Sequence, residues 1–246
     1  MPYYYGFDRT YILVLIGIVI SMLAQANVQK AFAKYSKIET KKQITGRQAA
    51  DYIIDTRGYN DIKIKQINNA MGDYFNPATK EVALSPESMR DTSIASVAVA
   101  AHELGHVIQY KEGYMPLQIK SWLVPAVNFG SKLSFPVIFL GMILSRQNLL
   151  NIGLVLFALT LVFQIVTLPV EFNASARALQ VLEESGMLIG EENAQAKAML
   201  KAAAYTYVAA TLTTALQFLR LFLLFVNNYQ FFCINFTLLK QIKTYP

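Results

Sequence analysis

Apolar and polar residues come in blocks along this chain. The first apolar block is Tyr11–Ala26 (YILVLIGIVISMLAQA), and three more cover Ser121–Leu144, Leu149–Val170 and Ala202–Val226. A helix needs roughly 20 such residues to cross a bilayer, so the pattern predicts four transmembrane helices. The first block is short, and Tyr3–Tyr5 and Phe7 are expected to extend it at the interface. The second is interrupted by Pro125, Asn128, Lys132 and Pro136. Only Ser145–Asn148 separates it from the third, which predicts a helical hairpin.

Residues 27–120 are the one long polar region. Lys30–Ile44 reads as a charged helix or juxtamembrane linker. Thr45 opens a helix with an apolar stripe at Ala49, Ala50, Ile53 and Ile54, and Gly58 ends it. Ile62, Ile64 and Ile67 fit a short strand, Asn76-Pro77 a turn, and Lys80–Ser85 a second short strand. A further helix, capped by Asp91, Thr92 or Ser93, is expected from about Ser93 to Tyr110. Residues 171–201 are polar with a helical pattern, and the tail after Asn227 is aromatic and irregular.

Composition supports the membrane assignment. Of 246 residues, 54% are hydrophobic and 15% charged, and the mean hydropathy is +0.33; soluble domains lie nearer a quarter charged. The net charge of +6 does not indicate nucleic acid. Its basic residues follow the first apolar block (Lys30, Lys34, Lys37, Lys41, Lys42, Arg47) instead of interleaving with aromatics on a soluble face. The single cysteine, Cys233, allows no intrachain disulfide and no cysteine-based zinc ribbon, and it fits a reducing cytosol.

Charge also orients the chain. Ala24-Gln25-Ala26 resembles a cleavage site, but the lysines follow the first block instead of preceding it. That predicts an uncleaved anchor with its N-terminus outside. The hairpin returns the chain to the side it left, so residues 27–120 and 171–201 share a face. Most of the 22 Lys and Arg lie there, which makes that face cytoplasmic; Lys240 and Lys243 would fall outside and count mildly against this.

Both histidines of the chain lie in Ala100–Tyr110, AAHELGHVIQY. Residues four apart share one face of a helix, so His102 and His106 can point two imidazoles at one ion. Glu103, tilted off the metal, can hold a water and take its proton. This is why H-E-x-x-H on a helix marks zinc peptidases. The motif can arise by chance on an amphipathic helix. Here Ala95–Ala101 is small and mostly apolar, so the helix is buried, and buried His and Glu need partners or a metal. Gly105 within such a helix costs about 1 kcal/mol against Ala, which close packing would offset.

A third ligand cannot be histidine. Glu171, Glu183, Glu184, Glu191 and Glu192 lie on the right face. The last four sit beside Ser185-Gly186 and Gly190 and look like a solvated helix end. Glu171 follows Pro169-Val170 at the end of a span, where a carboxylate is costly unless paired; the plain alternative is an interfacial charge or helix cap. Ser175, one turn on, can hydrogen-bond a ligand.

The segments YFNPATKEVALSPE, VAVAAHELGHVIQYKEGYMPL, LVPAVNFGSKLS, LLNIGLVLFALTLVFQIVTLPVEFNASARAL and AAAYTYVAATLTTALQFLRLFL resemble the YugP-type membrane zinc metallopeptidases of bacteria. The resemblance covers most of residues 1 to about 226 and departs from the family in the tail. It implies zinc binding at His102 and His106 with Glu103 catalytic. More distantly, EFNAS is similar to the E-x-x-x-D helix of gluzincins such as the HtpX protease. There the Glu is the third ligand, which maps to Glu171; the Asp of that pattern is Ser175 here.

Other residues carry open alternatives. Lys80–Ser85 is either a substrate-pairing edge strand or an ordinary core strand. Lys132 is a functional intramembrane charge or, more simply, a snorkelling or kinked helix end. Arg177, Tyr205 or Tyr207 could stabilise an oxyanion. Asn173-Ala174-Ser175 is a glycosylation sequon, discounted because it should face the cytoplasm.

The expected protein is mainly α-helical, with four transmembrane helices and a small α/β zincin-like cytoplasmic unit. Its parts are an anchor (1–29), a unit with the H-E-x-x-H helix (30–120), a transmembrane hairpin (121–170), a helix with the third ligand (171–201), a fourth span (202–226) and a tail of unassigned role (227–246). The expected activity is that of a multi-pass cell-membrane zinc endopeptidase acting on membrane or membrane-proximal proteins. One zinc ion is held by His102, His106 and Glu171, and Glu103 is general base and then acid. One rival is a site-2-type intramembrane protease. It is weakened because Asn76-Pro77-Ala78 precedes the motif and only about nine apolar residues precede His102, against the roughly 20 of a span. The other is a non-catalytic scaffold with structural zinc, which would call for a fourth protein ligand.

Overall fold

A computed structural model describes residues 9–69 and 72–242, with side chains as far as Phe225. Tyr3–Tyr5, Phe7 and Lys243, and the side chains of Cys233 and Lys240, lie outside the described residues. The elements run α1 (Tyr11–Tyr35), α2 (Gly46–Arg57), β1 (Lys63–Gln66), β2 (Tyr74–Asn76), β3 (Glu81–Leu84), α3 (Pro86–Arg90), α4 (Ile94–Lys111), α5 (Met115–Ile143), α6 (Gln147–Glu184) and α7 (Glu191–Ile242). Among the described residues, four helices are long and apolar enough to span a membrane: α1, α5, α6 and Glu191–Phe225 of α7.

The chain forms two compact units. Among the described residues, one comprises those up to Ser21, Trp122–Ile165 and those from Ala209 on. Its inner contacts are apolar: Ile138, Leu150, Phe157, Leu221 and Phe225 form a buried cluster. Thr213 joins α7 to α1 through hydrogen bonds with Ser21 (2.9 Å) and the Gly17 carbonyl (3.0 Å). Leu15, Val19, Phe129, Phe139 and Val155 face outward. In water such an apolar surface would be a liability; against lipid tails it is the expected outer face of a spanning bundle. Lys132 is exposed on this unit. Pro125 and Pro136 lie inside a continuous α5, as neighbouring helices in membranes permit.

The other unit, Met22–Ser121 with Val166–Val208, carries all of the predicted site residues. Thr45 caps α2 in a reciprocal box with Gln48, and Gly58 ends it in the left-handed region at φ 67°. Ser93 is the residue that caps α4, accepting from Ser96 N at 3.2 Å. The sheet has the order β1-β3-β2, β1 parallel and β2 antiparallel to β3. The Lys80–Ser85 segment is therefore the central strand. It pairs with β1 along Glu81–Leu84 and with β2 over Glu81–Ala83, which favours the ordinary core strand over the substrate-pairing edge. The three-residue β2 is too short for a period-two signal to show in the sequence.

α4 lies inside this unit. Its Ile94, Val97, Leu104, Val107 and Ile108 pack with α2 residues Ala49, Ala50 and Ile53 and with Val82 and Leu84 of β3. The helices on either side depart from the sequence reading at their ends. α6 runs unbroken through Pro169 from the apolar block into the polar segment. Glu192, expected to be solvated, is only 4% exposed. Its two oxygens accept from Lys41 N and Ile189 N, each at 2.6 Å, and so close the turn before α7. α7 continues to Ile242 where an irregular tail was expected.

Candidate metal centre

Two helices build the site. α4 presents His102 and His106 one turn apart on one face, their rings 4.8 Å apart and edge-on. α6 supplies Glu171 at the point where its apolar run ends. Gly105 lets the helices meet: a Cβ there would lie 2.3 Å from the Ala174 carbonyl oxygen. Replacing Gly by Ala in a helix normally stabilises by about 1 kcal/mol. Here backbone blocks the methyl, so the sign reverses. Gly105→Ala is expected to destabilise by about 1–3 kcal/mol and to weaken metal binding, read by thermal unfolding and a zinc competition titration.

Glu171 Oε2 lies 3.3 Å from His102 Nε2 and 3.5 Å from His106 Nε2. One ligand atom from each of the three residues can be chosen so that all lie within 4.8 Å of one another. An ion about 2.1 Å from tetrahedrally placed N and O donors would separate them by about 3.4 Å. Glu171 is 3% exposed, and its Oε2 accepts no hydrogen bond. A buried carboxylate oxygen left that way is costly. Two imidazole nitrogens and an otherwise unsatisfied carboxylate oxygen thus fit a zinc ion in donor type and in spacing.

Each donor is oriented by a second contact. Gln109 Nε2 donates to the Val170 carbonyl (2.8 Å) and to Asn173 Oδ1 (3.0 Å), which fixes which way its amide points. Its Oε1 therefore accepts from His106 Nδ1 at 3.0 Å, and the His106 Nε2 lone pair faces Glu171. Ser175 Oγ lies 3.1 Å from His102 Nδ1 and serves the same purpose for the other ring. The serine that replaces the expected aspartate thus still contacts a histidine. Lys120 Nζ donates to Glu171 Oε1 at 2.9 Å.

Glu103 is buried beside the histidines and is no member of the three-donor cluster. Burial pushes its pKa up, and the nearby His102 and His106 pull against that. Burial disfavours charge on His106, but the Glu171 carboxylate and the Glu103 charge outweigh it and raise the His106 pKa.

A cavity of about 220 Å³ opens from His102, Glu103 and Glu171. Asp73 and Tyr207 line it with them, and Phe32, Val99, Met199 and Leu200 make much of its wall. Of the three oxyanion candidates, only Tyr207 borders this cavity. Arg177 is tied to Glu112 and to Asn173 Oδ1, and Tyr205 is exposed. Asn173 of the sequon is itself a hydrogen-bond acceptor for Gln109 and Arg177.

Gln109 and Lys120 were not singled out from sequence. Gln109 carried a weak signal, a polar residue on a buried face one turn from a candidate ligand. Lys120, at the polar end of an apolar block, carried none.

The sequence pattern of the family described as "Putative neutral zinc metallopeptidase" matches residues 10–226. A relative from Bacillus subtilis (strain 168), named "Putative membrane protease YugP", is 38% identical over 217 residues, which is 88% of this chain and 96% of the relative. No solved structure matches the chain. With the family pattern matched from residue 10 to residue 226, and a relative 38% identical over 88% of its length, the chain belongs to this family.

Proposed function

We propose that the chain is a multi-pass membrane zinc endopeptidase that hydrolyses peptide bonds in membrane or membrane-proximal proteins, with its centre on the cytoplasmic face. The observation that carries this is Glu171 Oε2, buried, without a hydrogen-bond donor, and 3.3–3.5 Å from two imidazole nitrogens on α4. His102, His106 and Glu171 would hold one zinc ion. Bound there, it supplies Lewis-acid chemistry, polarising the scissile carbonyl and lowering the pKa of a water toward about 7.

The chain's own groups do the rest. Glu103, beside but outside the donor set, takes a proton from the attacking water and returns it to the leaving amine. Tyr207 borders the cavity where an oxyanion would form and can donate to it. The apolar wall of Phe32, Val99, Met199 and Leu200 suits a bulky hydrophobic side chain next to the cleaved bond. The substrate class rests on that wall and on Glu171 following a spanning run directly in sequence. The cytoplasmic placement rests on the basic residues that flank the spans.

The rivals find less support. α4 is not among the four candidate spans, and most of its residues are buried in protein, unlike a site-2-type helix. The three-donor cluster, with no fourth member among the described residues, suits an open catalytic site better than structural zinc. The test is cleavage of an unfolded membrane protein by the purified chain in detergent. A chelator should abolish cleavage, and zinc added back to about one equivalent should restore it. Cleavage that survives metal removal would overturn the reading.

A further inference from the structure

We propose that Lys120 is a positioning residue that holds Glu171 so that it offers one oxygen, not two, to the ion. The inference rests on the zinc-site reading above. The two oxygens of this carboxylate have separate surroundings. Oε1 receives Lys120 Nζ at 2.9 Å. Oε2 receives no hydrogen bond and faces both histidines. The Tyr207 hydroxyl also interacts with Glu171. A lysine that merely neutralised a carboxylate at the end of a span could sit anywhere near it. This one comes from a different helix, α5, with its own side chain partly buried, and it occupies a single oxygen of a carboxylate that is almost fully buried.

The chemistry explains why that matters. A carboxylate free to rotate can bind an ion through one oxygen or through both. Chelation by both would use a coordination position that a water or a substrate carbonyl needs in a catalytic site with three protein ligands. A charge-assisted hydrogen bond to Oε1 is strong and directional, and it opposes the rotation that would bring this oxygen to the ion. Gln109 and Ser175 do the equivalent for the histidines by fixing their rings. Lys120 thus completes a set in which every donor residue is held by at least one further side chain.

The experiment uses the full-length protein in detergent, loaded with Co²⁺ in place of zinc, because the visible bands of Co²⁺ weaken as coordination rises above four. Wild type should give intense four-coordinate bands at one equivalent of metal. Lys120→Met should bind one equivalent with clearly weaker bands, while kcat of the zinc form falls about 10–100-fold with little change in KM. Lys120→Arg, which can still reach Oε1, should keep the wild-type spectrum. Lys120→Gln, shorter but still polar, should reproduce the Met spectrum and serves if the Met variant does not fold. Bands unchanged in Lys120→Met or Lys120→Gln would overturn the proposal, whatever happens to activity. Failure of wild type to bind one Co²⁺ would instead overturn the site reading on which it rests.

Discussion

Glu103→Gln should lower kcat by about 10²–10⁴, the range attributed to general acid–base groups, while the protein still binds one zinc ion. The two outcomes are separable because Glu103 lies beside the three converging donor atoms without being one of them. Gln keeps the shape of Glu and fits the same buried space, but it cannot take a proton. Stability should not fall: Glu103 is 7% exposed and carries a carboxylate that burial already pushes toward its neutral form. The measurements are initial rates on an unfolded membrane-protein substrate, zinc content after dialysis, and thermal unfolding. Wild-type rates would remove Glu103 from the mechanism. Loss of zinc together with activity would mean that Glu103 is a ligand.

Much of this site was legible because its chemistry is local. His102, Glu103 and His106 lie within one and a half turns of one helix, and helical geometry alone puts the imidazoles on one face. Ser93 and Thr45 act through residues three positions away, so their caps could be read as well. Gly105 stood out as a glycine within a buried helix, though only the approach of the Ala174 carbonyl explains it.

What escaped depends on contacts between distant parts of the chain. Lys80–Ser85 was found as a strand, but strand order follows from pairing with β1 and β2, which no local pattern encodes. Glu192 looked solvated from its acidic neighbours, yet Lys41 N, 151 residues away, is one of its two partners. Lys120 resembles any interfacial lysine until α5 and α6 bring it to Glu171, 51 residues on. Glu171 was singled out by elimination, from the absence of a third histidine and the expected return of the hairpin, and α6 brings it beside His102 and His106.

Glu171→Ala should abolish stoichiometric zinc binding and, with it, activity. Two histidines remain on α4, but the oxygen that faces both of them is gone. Loss of a side chain that merely orients a ligand costs about 10–100-fold in affinity, so loss of a ligand should exceed that range. The substitution also leaves Lys120 facing a site without its partner, and a partly buried charge stripped of its counterion is destabilising. Lower stability could by itself be blamed for lost zinc, so the comparison that decides is Glu192→Ala. Glu192 is as buried as Glu171 and is likewise held by a contact from a distant residue, Lys41 N, but it caps a turn and lies outside the donor cluster. It should lower the unfolding temperature and leave zinc at one equivalent. Zinc retained by Glu171→Ala would exclude it as the third ligand. Zinc lost equally from both variants would mean that the metal responds to general loosening of the fold, not to the loss of one oxygen.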